Sequence, residues 1–454
     1  MSFPAYPAYK DSGVEWLGVV PDHWVVALLK RGYEVALGKM LQPEARRDDD
    51  EFLPYLRAAN IQSSGVDNVD VKYMWFSAEE KKLLLLRRGD LLVSEGGDVG
   101  RSAIWDFENE ECYFQNSINR IRSVDGNETR FLYFWMTAIK KNGYIDMLCN
   151  KSTIAHFTAE KVAAVPMPLP TKFEQVQIAR FLDHKTAHID ALIEDQQRLI
   201  ELLKEKRQAV IFRVVTKGLN PTVPMKDSGV DWLGQVPQHW QVGALGYFAG
   251  IDTGATPDRG NPKYWGGDIP WIKTGEVNYD NISQAEECIT REGVRNSAVK
   301  VAPKGTLLMA MYGQGVTRGR VAILDIEAAY NQACAGIFVD GRIRVEYLRL
   351  FLIAAYPYVR DGGNEASQMN LSSGHVAKIK IAVPPIIEQV SSERFLDEEM
   401  ARFDSLINQA GLLASNLQEL RSALISAAVT GKIDVRAWQS PARLPAPELV
   451  QEVV

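Results

Sequence analysis

Cysteine is scarce and scattered in this 454-residue chain. The four thiols (Cys112, Cys149, Cys288, Cys334) form no C-x-x-C pair, which excludes the common zinc and dithiol motifs. Of six histidines, only His184 and His188 fall at helical spacing. No H-E-x-x-H glutamate or third ligand stands beside them, so no metal site is expected. Long apolar runs are also missing; Leu83–Leu86 is typical, far too short to span a bilayer. Met1–Lys10 lacks the basic-then-apolar pattern of a signal peptide. These absences predict a cytoplasmic protein with no membrane association.

Net positive charge is lacking too. The formal charge is −6, which by itself argues against a polyanionic partner. Whole-chain charge says little about one face, however. The acidic runs Asp48–Glu51 and Glu108–Glu111 read as solvated loop tips. Cations fall in close pairs: Arg87/Arg88, Arg120/Arg122, Arg318/Arg320, Arg342/Arg344 and Lys378/Lys380. Local clusters of this kind are what phosphate contacts need.

What the chain does have is a second copy of itself. Lys10-Asp-Ser-Gly-Val-Glu-Trp-Leu-Gly-Val-Val-Pro-Asp-His-Trp24 returns as Lys226-Asp-Ser-Gly-Val-Asp-Trp-Leu-Gly-Gln-Val-Pro-Gln-His-Trp240. Thirteen of seventeen positions are identical between 10–26 and 226–242, beyond the reach of chance. Weaker matches follow at the same offset of 216: Gly89-Asp-Leu-Leu92 opposite Gly305-Thr-Leu-Leu308, and Phe114-Gln-Asn-Ser117 opposite Tyr330-Asn-Gln-Ala333. At offset 214, Arg180-Phe-Leu-Asp183 faces Arg394-Phe-Leu-Asp397. The flanks of each half agree while the middles share only scaffold positions. Such a pattern suggests one fold put to reading two different targets.

The middles, roughly 27–165 and 243–380, mix short β-rich runs with amphipathic helical ones, which predicts α/β or α+β domains. Leu91–Ser94 and Thr306–Met309 read as buried strands. Arg130–Lys141 and Val345–Ala355 read as helices. Residues 174–215 then contain neither Gly nor Pro. Ile178, Leu182, Ile189, Leu192, Leu199, Leu203 and Val210 fall on alternating steps of four and three, interrupted at Lys185, Gln196 and Lys206; Leu396, Phe403, Leu406, Ala410, Leu413, Leu417, Leu420 and Leu424 repeat the seam. That period marks a coiled coil, and the obvious partner for each helix is its own repeat. Paired antiparallel, the helices would carry one globular domain each, related by a pseudo-two-fold axis and suited to a DNA site in two halves. The expected boundaries are a first recognition domain over 1–170, a long helix over 171–219, a second domain over 220–386, a second helix over 387–434 and a flexible tail over 435–454.

These residues resemble the specificity (S) subunit of type I restriction–modification systems, over nearly the whole chain. The likeness rests on the duplicated Lys-Asp-Ser-Gly-Val-x-Trp-Leu-Gly-x-Val-Pro-x-His-Trp opening and on Tyr312-Gly-Gln-Gly-Val-Thr-Arg-Gly-Arg320. The Leu-Pro…Glu-Gln…Arg-Phe-Leu-Asp junction into each helix completes it. The first half departs from the pattern, with Ser94-Glu-Gly-Gly-Asp-Val-Gly-Arg101 in place of Tyr-Gly-Gln-Gly. The resemblance implies two target recognition domains, each reading half of a bipartite double-stranded DNA site. It implies an antiparallel coiled coil acting as a spacer and docking two modification (methyltransferase) subunits. Restriction subunits would supply translocation and cleavage. S-adenosylmethionine, ATP and Mg are expected in those partners, and no cofactor in this chain.

Candidate DNA contacts follow from residue chemistry. Arg101, Arg318 and Arg320 sit in Gly-rich segments, where a guanidinium suits phosphate or guanine O6/N7. Arg57 with Asn60, and Lys273 with Glu276, place a cation three residues before a polar group; a strand-end salt bridge would explain them equally. Gln115, Asn116, Asn331 and Gln332 suit bidentate adenine recognition or, as readily, the bonding of turn backbone. Trp16, Trp24, Trp232 and Trp240, in the shared flank, read as packing anchors. Asn261-Pro-Lys-Tyr264 is similar to the Asn-Pro-Pro-Tyr of adenine methyltransferases, but Lys replaces a Pro and no Gly-rich cofactor loop accompanies it. A non-catalytic subunit is therefore expected. A coiled-coil scaffold with protein-binding globular domains is the alternative, and the acidic charge argues for it.

Overall fold

The computed structural model describes residues 3–108, 110–149, 156–313, 316–361 and 370–440. The chain divides into two units: Met1–Gln196 with Leu412–Val454, and Gln197–Gly411. Each combines a mixed α/β domain with a stretch of both long helices.

Both units follow one topology. In the first, a four-stranded antiparallel sheet runs Ser102–Trp105, Asp90–Ser94, Ile118–Ser123, Tyr33–Leu37. In the second the matching order is Val321–Ile323, Leu307–Ala310, Cys334–Val339, Ala249–Thr253. The central strands Asp90–Ser94 and Leu307–Ala310 are buried throughout, in keeping with the apolar runs over 91–93 and 307–310. A three-stranded sheet follows in each unit. Glu51–Leu56 lies between Lys72–Phe76 and Tyr113–Phe114; Trp265–Ile272 lies between Glu287–Ile289 and Ala329–Tyr330. The amphipathic helices span Thr129–Lys141 and Val345–Ala354, close to where the apolar spacing puts them.

The closing strands Pro166–Leu169 and Lys380–Val383 pair with Val25–Leu28 and Gln241–Ala244 and lead directly into the long helices. These span Lys172–Lys217 and Ile386–Val429. At 1.5 Å per residue, each is about 65–70 Å long. Glu174 caps the first: its carboxylate accepts from the Thr171 N–H and hydroxyl while its own N–H donates to Thr171 Oγ1.

Inside each unit the two helices run antiparallel. In the first, Asp190 pairs with Arg421 at 2.7 Å, and Ile178, Phe181 and Leu182 share a core with Ile425, Ala428 and Val429. In the second, Arg207 pairs with Asp404 at 3.1 Å, and Ile211 and Val214 share a core with Leu396. The heptad seam is buried only in part. Leu199, Leu406, Leu413 and Leu420 are exposed, contrary to the expectation of a continuous covered stripe. The second helix also stops five residues short of the expected end. The start of the expected tail is anchored: Val435 is buried and Trp438 meets Phe181 edge-on, just after Asp434, whose N–H donates to Pro4 O.

The duplicated flank joins the start of one helix to the end of the other. Trp24 is fully buried, with its indole N–H on Glu174 at the head of the first helix and its ring against Gly431, just past the second. Trp240 repeats this with Glu388 and Gly218. The four flank tryptophans contact core residues, as packing anchors should.

Candidate nucleic-acid interface

Three segments meet at one edge of the first domain. The strand Glu51–Leu56 delivers Arg57 into a tight turn over Ala58–Asn60. The Gly-rich loop after Ser94 approaches it, because Arg101 donates to the Ala58 carbonyl at 3.1 Å. The 115–117 turn closes the group: Gln115 N donates to Leu56 O, and Ser117 Oγ accepts from Ala58 N. Arg57, Asn60, Arg101, Gln115 and Asn116 are thus neighbours, although up to 59 residues separate them in sequence.

Bringing them together does not make each of them a reader. Asn60 is buried, with its oxygen accepting from Arg57 N and its amide donating to the Asp67 and Asp70 carbonyls, 3.0 Å each. Its hydrogen-bonding capacity is spent on the turn, so the expectation of a base contact there is corrected. Arg57 reaches outward but pairs with Asp70 at 2.7 Å. Lys72 shares the same carboxylate at 3.1 Å, and the two cations hold Asp70 below the usual carboxylate range. Gln115 is half-buried and accepts from Ser117 Oγ, while Asn116 is half-buried with its backbone N–H on Lys39 O.

The second domain builds the same edge with other side chains. Asn331 N donates to Ile272 O and Met311 N to Ala333 O, as Gln115 N does to Leu56 O and Glu95 N to Ser117 O in the first. Lys273 follows its strand as Arg57 does. Its ammonium pairs with Glu286 at 2.6 Å and Glu287 at 3.1 Å, and these carboxylates push its pKa up. Glu276 takes the place of Asn60, accepting from Lys273 N. Asn331 accepts from Ala333 N and bonds the Thr274 hydroxyl, and Gln332 bonds Thr256. For Asn331 the turn-bonding alternative is the observed one, whereas Gln332 makes an exposed bond to a side-chain hydroxyl distant in sequence. Arg318 donates to Arg360 O at 2.8 Å, while Arg320 bonds Asn278 and lies 5.5 Å over the Tyr279 ring. Of the glycines between Tyr312 and Arg318, Gly315 lies outside the described residues, as does Gln314.

Sequence reasoning missed Arg259. It stacks 3.8 Å over Trp265 and 4.8 Å over Trp271, and bonds Glu287, which also pairs with Lys273. Its Pro-Asp-Arg-Gly setting marks a turn, but only the sheet shows that two tryptophans lie beneath it. No helix among the described residues is long and apolar enough to cross a membrane.

The family model for the type I restriction modification DNA specificity domain matches twice, over residues 21–202 and 237–410. The chain belongs to that family. A type I specificity chain therefore explains the repeat. Curated relatives include the EcoKI specificity subunit of Escherichia coli, 21% identical over 93% of this chain and 92% of its own length. The MjaVIII specificity subunit of Methanocaldococcus jannaschii is 20% identical over 92% and 94%. The MjaIX subunit of the same archaeon is 29% identical over a shorter stretch, 38% of this chain and 40% of its own length. Among solved structures, a chain from work on assembly and conformational transition of the type I R-M system superposes with a TM-score of 0.71. The identity is 14%, covering 91% of this chain and 99% of that one. The HsdS subunit from Thermoanaerobacter tengcongensis gives 0.55 at 15% identity, covering 91% and 98%. At such identities the structural likeness speaks for the fold; membership of the specificity family rests on the sequence match. This specificity chain is a DNA specificity subunit of a restriction–modification system.

Proposed function

We propose that the chain reads a bipartite double-stranded DNA site, one half per unit, and performs no catalysis itself. The observation that carries this reading is the pair of equivalent edges described above, with one backbone frame and different side chains. Arg57 and Arg101 at the first edge, and Lys273, Arg318 and Arg320 at the second, supply the phosphate and base contacts. Surface ion pairs such as Arg57–Asp70 are worth little in water, so a phosphate can displace the carboxylate at small cost.

Two modification subunits, carrying S-adenosylmethionine, would methylate adenines of the recognised site. Restriction subunits using ATP and Mg would join them, all in the cytoplasm. The exposed Leu199, Leu202, Leu406, Leu412, Leu413 and Leu420 offer apolar surface on the long helices for a docking partner. The test is a domain exchange. Replacing 27–165 with the corresponding segment of another specificity chain changes one half of the methylated sequence and leaves the other intact, read by mapping methylated adenines. Altered methylation in both halves would defeat the division of labour.

A further inference from the structure

Among the described residues, the Glu95 carboxylate at the first edge accepts no side-chain or backbone hydrogen bond. Glu95 directly follows the strand Asp90–Ser94. Its backbone is fixed from two sides: its N–H donates to Ser117 O at 2.9 Å, and its carbonyl accepts from Phe157 N at 3.0 Å. Its side chain is only 15% exposed, yet among the described residues its carboxylate accepts no hydrogen bond. His156 Nδ1 lies 3.8 Å from its Oε1. Burial pushes the Glu95 carboxyl up, and His156 pulls it the other way. Neighbouring acids differ. Asp70 is held by Arg57 and Lys72, and Asp98 by Lys140 and Arg101.

The backbone frame does not demand an acid at this position. In the second unit Met311 occupies it and makes the same bond through its N–H, to Ala333 O at 2.8 Å. The second backbone bond is repeated as well, Leu371 N donating to Met311 O at 2.9 Å, and what differs in the first unit is one side-chain support. Fully buried Asn119 donates to Phe157 O at 2.8 Å and so fixes the segment carrying His156; its counterpart in the repeat is Ala335. A half-desolvated carboxylate without donors is costly, and a ligand N–H removes that cost. Phosphates repel it. Base edges bearing amino groups attract it, and in the major groove a carboxylate is the complement of an exocyclic amine.

We propose that Glu95 is a specificity-determining residue of the first unit, accepting a hydrogen bond from an exocyclic amino group, cytosine N4 or adenine N6, in that unit's half-site. The proposal rests on the DNA-reading function above.

The test uses the full complex assembled with its modification subunits. Wild type must first give a bipartite methylation site; its absence would count against DNA reading as such. Where wild type does, Glu95→Gln and Glu95→Met, the latter copying the second unit, relax one base position in the first-unit half. Discrimination there falls at least tenfold, with the other half unchanged. Duplexes carrying 2-pyrimidinone for cytosine, or purine for adenine, at that position lack the amino group. One of them binds wild type at least tenfold more weakly while leaving Glu95→Met indifferent, and the duplex that does so names the base. The proposal is overturned if both variants methylate the wild-type sequence with unchanged discrimination, if binding to all sequences falls equally, or if neither modified duplex separates wild type from Glu95→Met.

Discussion

His23 Nε2 lies 2.8 Å from Glu174 Oε1, linking the duplicated flank to the first turn of a long helix. Against burial, which raises it, hydrogen bonds from His23, Thr171 and Trp24 hold the Glu174 carboxyl below the usual carboxylate range. A depressed folded pKa adds stability above the unfolded value of about 4.3, and that stability is lost as pH falls through the folded pKa. Melting temperature should therefore drop on acidification below about pH 4.3. Glu174→Gln should lower it at neutral pH and flatten that acid limb. A variant melting curve parallel to wild type at every pH would show that Glu174 contributes no linkage.

The helix ends offer a matched pair of glycines. Gly431 and Gly218 both have positive φ, 73° and 72°. A methyl group on Gly431 would lie 2.3 Å from Pro21 Cδ, whereas on Gly218 it would meet only the Trp240 ring, at 3.1 Å. Each alanine costs about 1 kcal/mol for the left-handed backbone. Gly431→Ala adds a clash with a rigid ring, so in denaturant titrations it should destabilise by roughly 1–3 kcal/mol more than Gly218→Ala. Equal losses would mean that Pro21 gives way freely.

Arg57 and Asp70 set up opposite effects on DNA affinity. Arg57→Ala should weaken binding to all sequences alike and reduce the slope of log K against log salt by about one. Asp70→Asn frees the guanidinium and should strengthen binding several-fold at low salt. Fluorescence anisotropy across a salt series checks both, and an Asp70→Asn complex no tighter than wild type would take Arg57 off the phosphate-contacting list.

Length is the remaining handle. Four residues inserted into each long helix add about 6 Å at 1.5 Å per residue. The non-specific spacer between half-sites should grow by one or two base pairs at about 3.4 Å each. Mapped methylation sites with the original spacer would reject the helices as a ruler.

Much of this architecture was legible before any coordinates. The flank repeat and the period of the long helices are local signals, spread over enough residues to be read one chain segment at a time. The edges that meet the ligand were harder. Asn60 looked like a reader because polarity is visible in sequence, while its two carbonyl partners at Asp67 and Asp70 are set by a turn geometry that is not. For Asn331 the sequence leaves base reading and turn bonding open, and the bonds to Ala333 N and the Thr274 hydroxyl appear only in the folded turn. Leu199 and Leu413 fit the heptad yet lie exposed, because spacing gives a side chain's azimuth and not what stands opposite it. Glu95 is inconspicuous within Ser94-Glu-Gly-Gly-Asp, since its lack of donors among the described residues is a property of its surroundings.

The backbone bonds that frame each edge, Gln115 N to Leu56 O and Asn331 N to Ile272 O, ask nothing of the side chains attached to them. Substitutions at turn positions whose side chains do not themselves bond the turn therefore leave the main-chain lattice intact. Drift there is filtered by what the molecule must recognise and scarcely by whether it folds, so two tandem copies of one gene segment can come to prefer unrelated targets.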